Sequence, residues 1–305
     1  MSAMSAPTSI FTEEGLARLA QHCGLRPASA RSKRRRALLR GGALWGDAHW
    51  GCTHRDDWLV CSRRTSAPSG QEPLALHAGW RGPFKVTHRK NGDLDERAEF
   101  FLPRGPGSGF DPMVDADVNK EFEALVSGLL SSVASFDRGT PGVAGPVANT
   151  APSAQDIRLW LREAGREATI DENQHLGLVL KRRGADGQVR IERGEGTLRV
   201  VMRLGGWKEV SPQAREAMLL LARQANSRIR LARIVWTEND NHTVCDAVCD
   251  LTGLPTSEGV GQDFFKGMLG MAVSGLELAL RQLGVELAIL ARPEGAEVVK
   301  LLLSS

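Results

Sequence analysis

The stretch Asp137–Ser153, DRGTPGVAGPVANTAPS, is rich in Gly, Pro, Ala and small polar residues and carries no apolar period. That composition makes a flexible or extended linker, not a packed element. It falls almost at the middle of a 305-residue chain, so a folded core has to be built on either side of it. The length also suits two domains. The boundaries read from the sequence are a first unit over 10–136, a linker over 137–152 and a second, fuller unit over 153–305.

The two sides match in the order of their local patterns, which makes an internal repeat the first thing to test. Each opens with a short amphipathic helix. On the first side Thr12 is placed as the cap, with Leu16, Leu19, Ala20 and Cys23 on the apolar face. On the second, Ser153 and Asp156 make a capping pair, and Ile157, Trp160, Leu161 and Ala164 form the face. Gly24 and Gly165 follow as helix stops.

Short strands come next. They are expected at about Ala37–Leu44, Ala48–Thr53 and Trp58–Ser62 on the first side. On the second they are expected at Leu176–Lys181, Val189–Glu192 and Thr197–Leu204. A β-hairpin follows on each side: Phe84–Pro103 with Asn91-Gly92 at its turn, and Arg233–Pro255 with Asn239–Asn241 at its turn. Asn-Gly is a strong hairpin signal because both residues tolerate positive φ. Each side closes with an apolar helix, Phe122–Phe136 and Phe264–Leu283, at helical spacing. One helix, from Ser211-Pro212 to about Asn226, has no counterpart in the first unit. A tail of two short strands, Val285–Leu290 and Val298–Leu303, is expected at the end. The fold class is therefore α+β: two related units of antiparallel sheet with flanking helices, the second α-βββ-α-ββ-α. The two units are expected to pack as an intramolecular pseudo-dimer, or the chain to form a homodimer.

The second half, about Ser153 to Gly284, resembles the type III secretion chaperone-like fold, including bacterial YbjN-type domains. The order of elements carries the resemblance, with the stretch LARQANSRIRLARIVWTENDNHTVCDAVCDL and the helix FFKGMLGMAVSGLELALRQL that follows it. It implies a first half that is a reduced copy, and a role in binding an unfolded segment of a client protein without catalysis. Family members are usually small, acidic and dimeric. This chain is about twice as long and mildly basic, at a net charge of +3.

Composition limits the alternatives. A hydrophobic share of 42 % with 25 % charged residues is that of a globular chain and excludes a mostly disordered one. A charge of +3 does not mark a dedicated nucleic-acid binder. Five cysteines at scattered spacings do not make a disulfide framework, which points to a reducing compartment and a cytoplasmic location. Met1–Thr12 lacks the basic start and apolar run of a signal peptide. No stretch reaches the roughly 18 apolar residues of a membrane span, so no membrane role is expected.

The chemical constellations have bland readings beside the sharp ones. His242, Cys245 and Cys249, with Asp246 and Asp250, look like metal ligands. On a strand, however, residues i and i+4 stand about 13 Å apart at ~3.3 Å per residue, too far to share one zinc. Buried structural thiols fit better. Cys52, His54, Asp56, Asp57 and Cys61 could supply a Cys–His nucleophile pair, but no orienting group or oxyanion loop is evident, and a polar turn between half-buried strands fits better. The Gly-rich pieces at Arg104–Gly109 and Gly194–Gly196 lack the context of a P-loop or dinucleotide site. No catalytic residue, cofactor or metal is therefore expected. The run Arg31, Lys33, Arg34, Arg35 and Arg36 is either a solvated helix end or strand edge, or a patch for nucleic acid or an acidic partner. A nucleic-acid-associated regulator using that run is the alternative to a protein binder. Trp45, Trp50, Trp58 and Trp80 are either core or, since Trp is enriched at binding hot spots, a partner surface.

Overall fold

The computed structural model describes residues 13–22, 44–45, 48–49, 51–55, 58–65, 84–88, 94–101, 123, 127, 152–182, 185–194, 197–208, 210–239, 242–252, 260–292 and 294–304. Helix α1 spans Glu13–His22. The first-half strands are β1 Leu44–Trp45, β2 Ala48–His49, β3 Gly51–Arg55, β4 Trp58–Thr65, β5 Phe84–His88 and β6 Leu94–Phe101. The second half runs α2 Ala154–Glu163, β7 Thr169–Ile170, β8 Leu176–Arg182, β9 Ala185–Gly194, β10 Thr197–Lys208, α3 Pro212–Arg228, β11 Arg233–Asn239, β12 His242–Thr252, α4 Val260–Leu290 and α5 Gly295–Ser304. The protein is α+β, as the alternation of period-2 and period-3.6 segments requires.

The strands form a small β1–β2 ribbon, a four-stranded sheet in the order β3-β4-β6-β5 and a six-stranded sheet in the order β11-β12-β10-β9-β8-β7, all antiparallel. The four-stranded order repeats the inner order β9-β10-β12-β11 of the larger sheet. In both, a strand pair is followed by a hairpin whose second strand docks first. The hairpin pairs His88 with Leu94 in one sheet and Asn239 with His242 in the other.

Local chemistry sets the helix ends. Ser153 Oγ accepts from the Asp156 amide at 3.1 Å while the Asp156 carboxylate accepts from the Ser153 amide at 2.9 Å, the reciprocal box that fixes a helix start. At the other end of α2, Gly165 takes φ +74°, and the amides of Gly165 and Arg166 reach back to Arg162 O and Leu161 O. A Cβ would penalise that left-handed residue. At the start of α3 Ser211 Oγ accepts from the Ala214 amide at 3.1 Å, without a reciprocal carboxylate, and Pro212 supplies a preset first turn.

Helices α2, α3 and α4 bury one face of the six-stranded sheet. Alternate residues on each strand point into that core: Leu176, Leu178 and Leu180; Val189 and Ile191; Leu198, Val200 and Met202; Cys245, Ala247, Cys249 and Leu251. They meet Ile157, Trp160, Leu221, Phe265, Leu269 and Leu276 of the helices. Each fully buried aliphatic or aromatic side chain contributes about 1.5–3 kcal/mol, so this core is the main stabilising element.

Two expectations are corrected. The tail is helical throughout: Val285–Leu290 is the end of α4, and Val298–Leu303 lies in α5. Leu283, Leu287 and Leu290 are buried at helical spacing, as is Val299, so the apolar run continues the helix period. Cys61 is disulfide-bonded, and the residue opposite it in the β3–β4 ladder is Cys52. The scattered cysteine spacings in the sequence carried no signal of that bond. Residues 37–43 and most of the expected helix over 122–136 lie outside the described residues; Glu123 and Ser127 are helical.

Candidate functional site

Among the described residues, no helix packs on the second face of the six-stranded sheet over its β7–β9 end. Antiparallel sheets commonly leave one face to solvent, and the alternation here is clean. Opposite the core-facing residues stand Gly177 and Val179 on β8, Gln188 and Arg190 on β9, Val201 and Arg203 on β10, and Asp246 on β12. These line a hollow of 790 Å³, with Glu167 and Asp171 at its rim. Val179 is 52 % exposed on its floor. A second hollow of 430 Å³ lies beside the outward residues Arg158, Leu159 and Arg162 of α2, and the two share Glu167.

The floor is charged but internally paired. Arg203 Nε meets Asp246 Oδ1 at 2.5 Å, and Arg190 Nη2 meets Glu192 Oε1 at 2.5 Å. Burial raises the Asp246 carboxyl above its usual range and outweighs the pull of Arg203. The hollow therefore sets apolar Val179 and Val201 between paired charges and suits side chains of mixed character.

The hollow borders an open backbone edge. β7 pairs with β8 only at Leu176 and Gly177. Beyond them, Leu178–Arg182 has β9 on one side and, among the described residues, no strand on the other. The chain leaves the edge because the α2 stop turns it away and Arg166 Nη1 is held by Glu277 Oε1 of α4 at 2.7 Å.

The opposite edge of the sheet is β11, which pairs with β12 alone. β5 lies against α3 and touches β11. A buried ion cluster joins the halves there. Lys85 Nζ is 2.7 Å from Glu99 Oε2 and donates to Ile229 O at the end of α3. Glu99 Oε1 also meets Arg230 Nη1 at 3.0 Å and Arg97 Nη1 at 3.3 Å. Burial drives the Lys85 ammonium below its ordinary value against the pull of Glu99, with Arg97 and Arg230 pushing the same way as burial. For Glu99 burial works upward, but the three cations outweigh it and hold the carboxyl low. The two directions agree with the count of neighbours: one anion for the lysine, three cations for the glutamate. On the sheet beside it Asp250 takes Arg199 Nε at 2.8 Å and Arg233 Nη2 at 2.6 Å. Burial raises the Asp250 carboxyl, and these guanidiniums outweigh it, leaving it below its usual range.

Trp58 belongs to this junction. Its ring is half-buried, meets Phe101 edge-on at 5.5 Å, lies 5.7 Å under the Arg230 guanidinium and packs against the second-half core. Trp45 lies on β1. Trp50, Trp80 and the basic run Arg31, Lys33, Arg34, Arg35 and Arg36 lie outside the described residues. Cys52 and His54 are on β3, paired with Cys61 and Leu59. Cys245 and Cys249 are buried free thiols on the core face of β12, and Asp246 and Asp250 are on the other. Burial pushes the Cys249 thiol up to about 12 and Cys245 higher still, so neither is a thiolate near neutral pH. Among the described residues no cluster of His, Cys, Asp and Glu could hold a metal, and no helix is long and apolar enough to cross a membrane.

Sequence reasoning did not single out the hollow, the β8 edge or the Lys85–Glu99 pair. Of these, only the alternation of Val179, Gln188 and Arg190 against buried neighbours could have signalled the uncovered face.

No protein-family model matches the chain, and no curated protein matches it. Among solved structures the chain is similar to YbjN from E. coli, at 17 % identity and a TM-score of 0.29, over 44 % of this chain and 95 % of that one. So loose a superposition does not assign the fold by itself.

Proposed function

We propose that this chain is a non-catalytic protein-binding module, a chaperone-like adaptor that captures an extended segment of a client polypeptide along β8. The observation that carries the reading is the open Leu178–Arg182 edge bordering the 790 Å³ hollow. An added strand would satisfy its main chain on β8, and alternate side chains would reach the hollow on the uncovered face. Strand addition works in this way: backbone hydrogen bonds give affinity and pockets for every second residue give specificity.

We also infer a duplicated chain, in which the first unit covers the β11 edge in cis where a second subunit would otherwise stand. The repeated strand order and the Lys85–Glu99 junction support that arrangement. It leaves β8 as the edge available to a client.

A permanently unfolded, carboxymethylated polypeptide with a fluorescent label is the probe. Wild type is expected to bind it saturably. Val179→Asp with Gln188→Asp sets two more carboxylates beside Glu167 and Asp171 on exposed positions, so the fold should persist. That double variant is expected to bind about tenfold more weakly, the worth of ~1.4 kcal/mol. Equal binding by wild type and variant would overturn the assignment of this edge.

A further inference from the structure

The turn from α3 into β11 holds a strained residue. Leu231 has φ +61° and is only 9 % exposed. The other described non-glycine residue with positive φ, Gln174, is polar and sits in an exposed hairpin turn. At Leu231 the amide of Ala232 bonds to Arg230 O at 2.7 Å, closing a three-residue ring about the leucine. With positive φ at its centre this is the rare and strained form of the γ-turn. Left-handed backbone disfavours an ordinary L side chain about five- to thirtyfold. Such conformations persist only where the surroundings over-determine them.

The surroundings do so from two sides. Downstream, Asn226 of α3 grips Ile234: its Oδ1 accepts from the Ile234 amide at 2.6 Å and its Nδ2 donates to Ile234 O at 3.3 Å. Upstream, the grip comes from the first half of the chain. Lys85 donates to Ile229 O, Glu99 takes the Arg230 guanidinium, and that guanidinium lies over Trp58. The two residues before the strained one are thus held by side chains more than a hundred positions away in sequence.

We propose that Ile229–Ala232 is a two-position hinge, and that docking of the first-half sheet through Lys85, Glu99 and Trp58 clamps it in the strained position. Undocking lets Leu231 return to negative φ. That motion turns the start of β11, where Arg233 is paired with Asp250, and uncovers the β11 edge that β5 now touches. The first half then acts as an internal cover whose release changes the sheet of the second. This inference stands apart from client capture at β8.

The test uses the full chain and hydrogen–deuterium exchange of peptides spanning residues 229–236, with residues 176–191 of β8 and β9 as reference. Arg230→Gln loosens the clamp at a half-exposed side chain, so the fold is retained. It is expected to speed exchange at 229–236 about tenfold, as local opening does, with the reference unchanged. In that background Leu231→Gly and Leu231→Ala both lose the buried side chain beyond Cβ, but only glycine relieves the backbone. Glycine is expected to be about fivefold better protected than alanine, the reverse of their order at ordinary positions. Unchanged exchange in Arg230→Gln overturns the clamp. Alanine protected as well as or better than glycine overturns the hinge.

Discussion

Removing the two members of the buried pair should have unequal consequences. Lys85 is 1 % exposed and faces one anion, Glu99, with Arg97 and Arg230 as like-charged neighbours. Glu99→Leu therefore strands an ammonium among cations, the case in which breaking a buried pair costs about 3–5 kcal/mol. Lys85→Met is milder. Glu99 keeps Arg230 at 3.0 Å and Arg97 at 3.3 Å, and the main loss is the donor to Ile229 O, worth about 1–3 kcal/mol. In the double variant no charge is stranded, because Arg230 is 49 % exposed and can turn its guanidinium to water. Its cost should be no more than that of Lys85→Met, leaving a coupling of about 3–5 kcal/mol, the full cost of Glu99→Leu, between the two sites. Urea unfolding followed by both tryptophan fluorescence and circular dichroism measures all four proteins and checks that the probes coincide. Additive losses, or Lys85→Met more damaging than Glu99→Leu, would refute the reasoning.

Three further outcomes are expected. Asp250→Asn should cost about 3–5 kcal/mol at pH 7. The Asp250 carboxyl lies below its ordinary 3.8 in the folded state, so its stabilisation is complete above that value and lost as pH falls through the lower folded one; in acid unfolding curves the variant and wild type should converge below that point. Asp246→Asn should show the opposite sign: a carboxyl raised by burial favours the fold when protonated and loses that as pH rises, so the variant should match or exceed wild-type stability at pH 7 in the same titration. Gly295→Ala would drive a Cβ into Ile289 O at the α4–α5 reversal, and the forced backbone shift should lower stability by about 1–3 kcal/mol in thermal melts.

Much of the second half was legible because its signals are local. Ser153 with Asp156, Ser211 with Pro212, and the alternation of Leu198, Val200 and Met202 fix elements without knowledge of their neighbours. The tail was misread because its branched and leucine-rich runs suit either period; burial of Leu283, Leu287 and Leu290 on one helical stripe decides for helix only once the core is known. The two-residue β7 is too short to carry a period. The candidate site was barely legible. An open edge is a property of which strands pair, and the Lys85–Glu99 contact joins a lysine and a glutamate that look like ordinary surface residues of a hairpin. Trp58 was marked as a binding ring or core, and only the approach of Arg230, from the other half, shows where it packs.

The central claim, that β8 receives a polypeptide, is tested most directly by a photo-crosslinking amino acid at position 179, with position 292 on the exposed α4–α5 turn as control, irradiated in extract of the native cell. Adducts that form at 179, not at 292, and that protease removes while nuclease does not are the predicted result. Adducts removed by nuclease, or equal yields at the two positions, would contradict it.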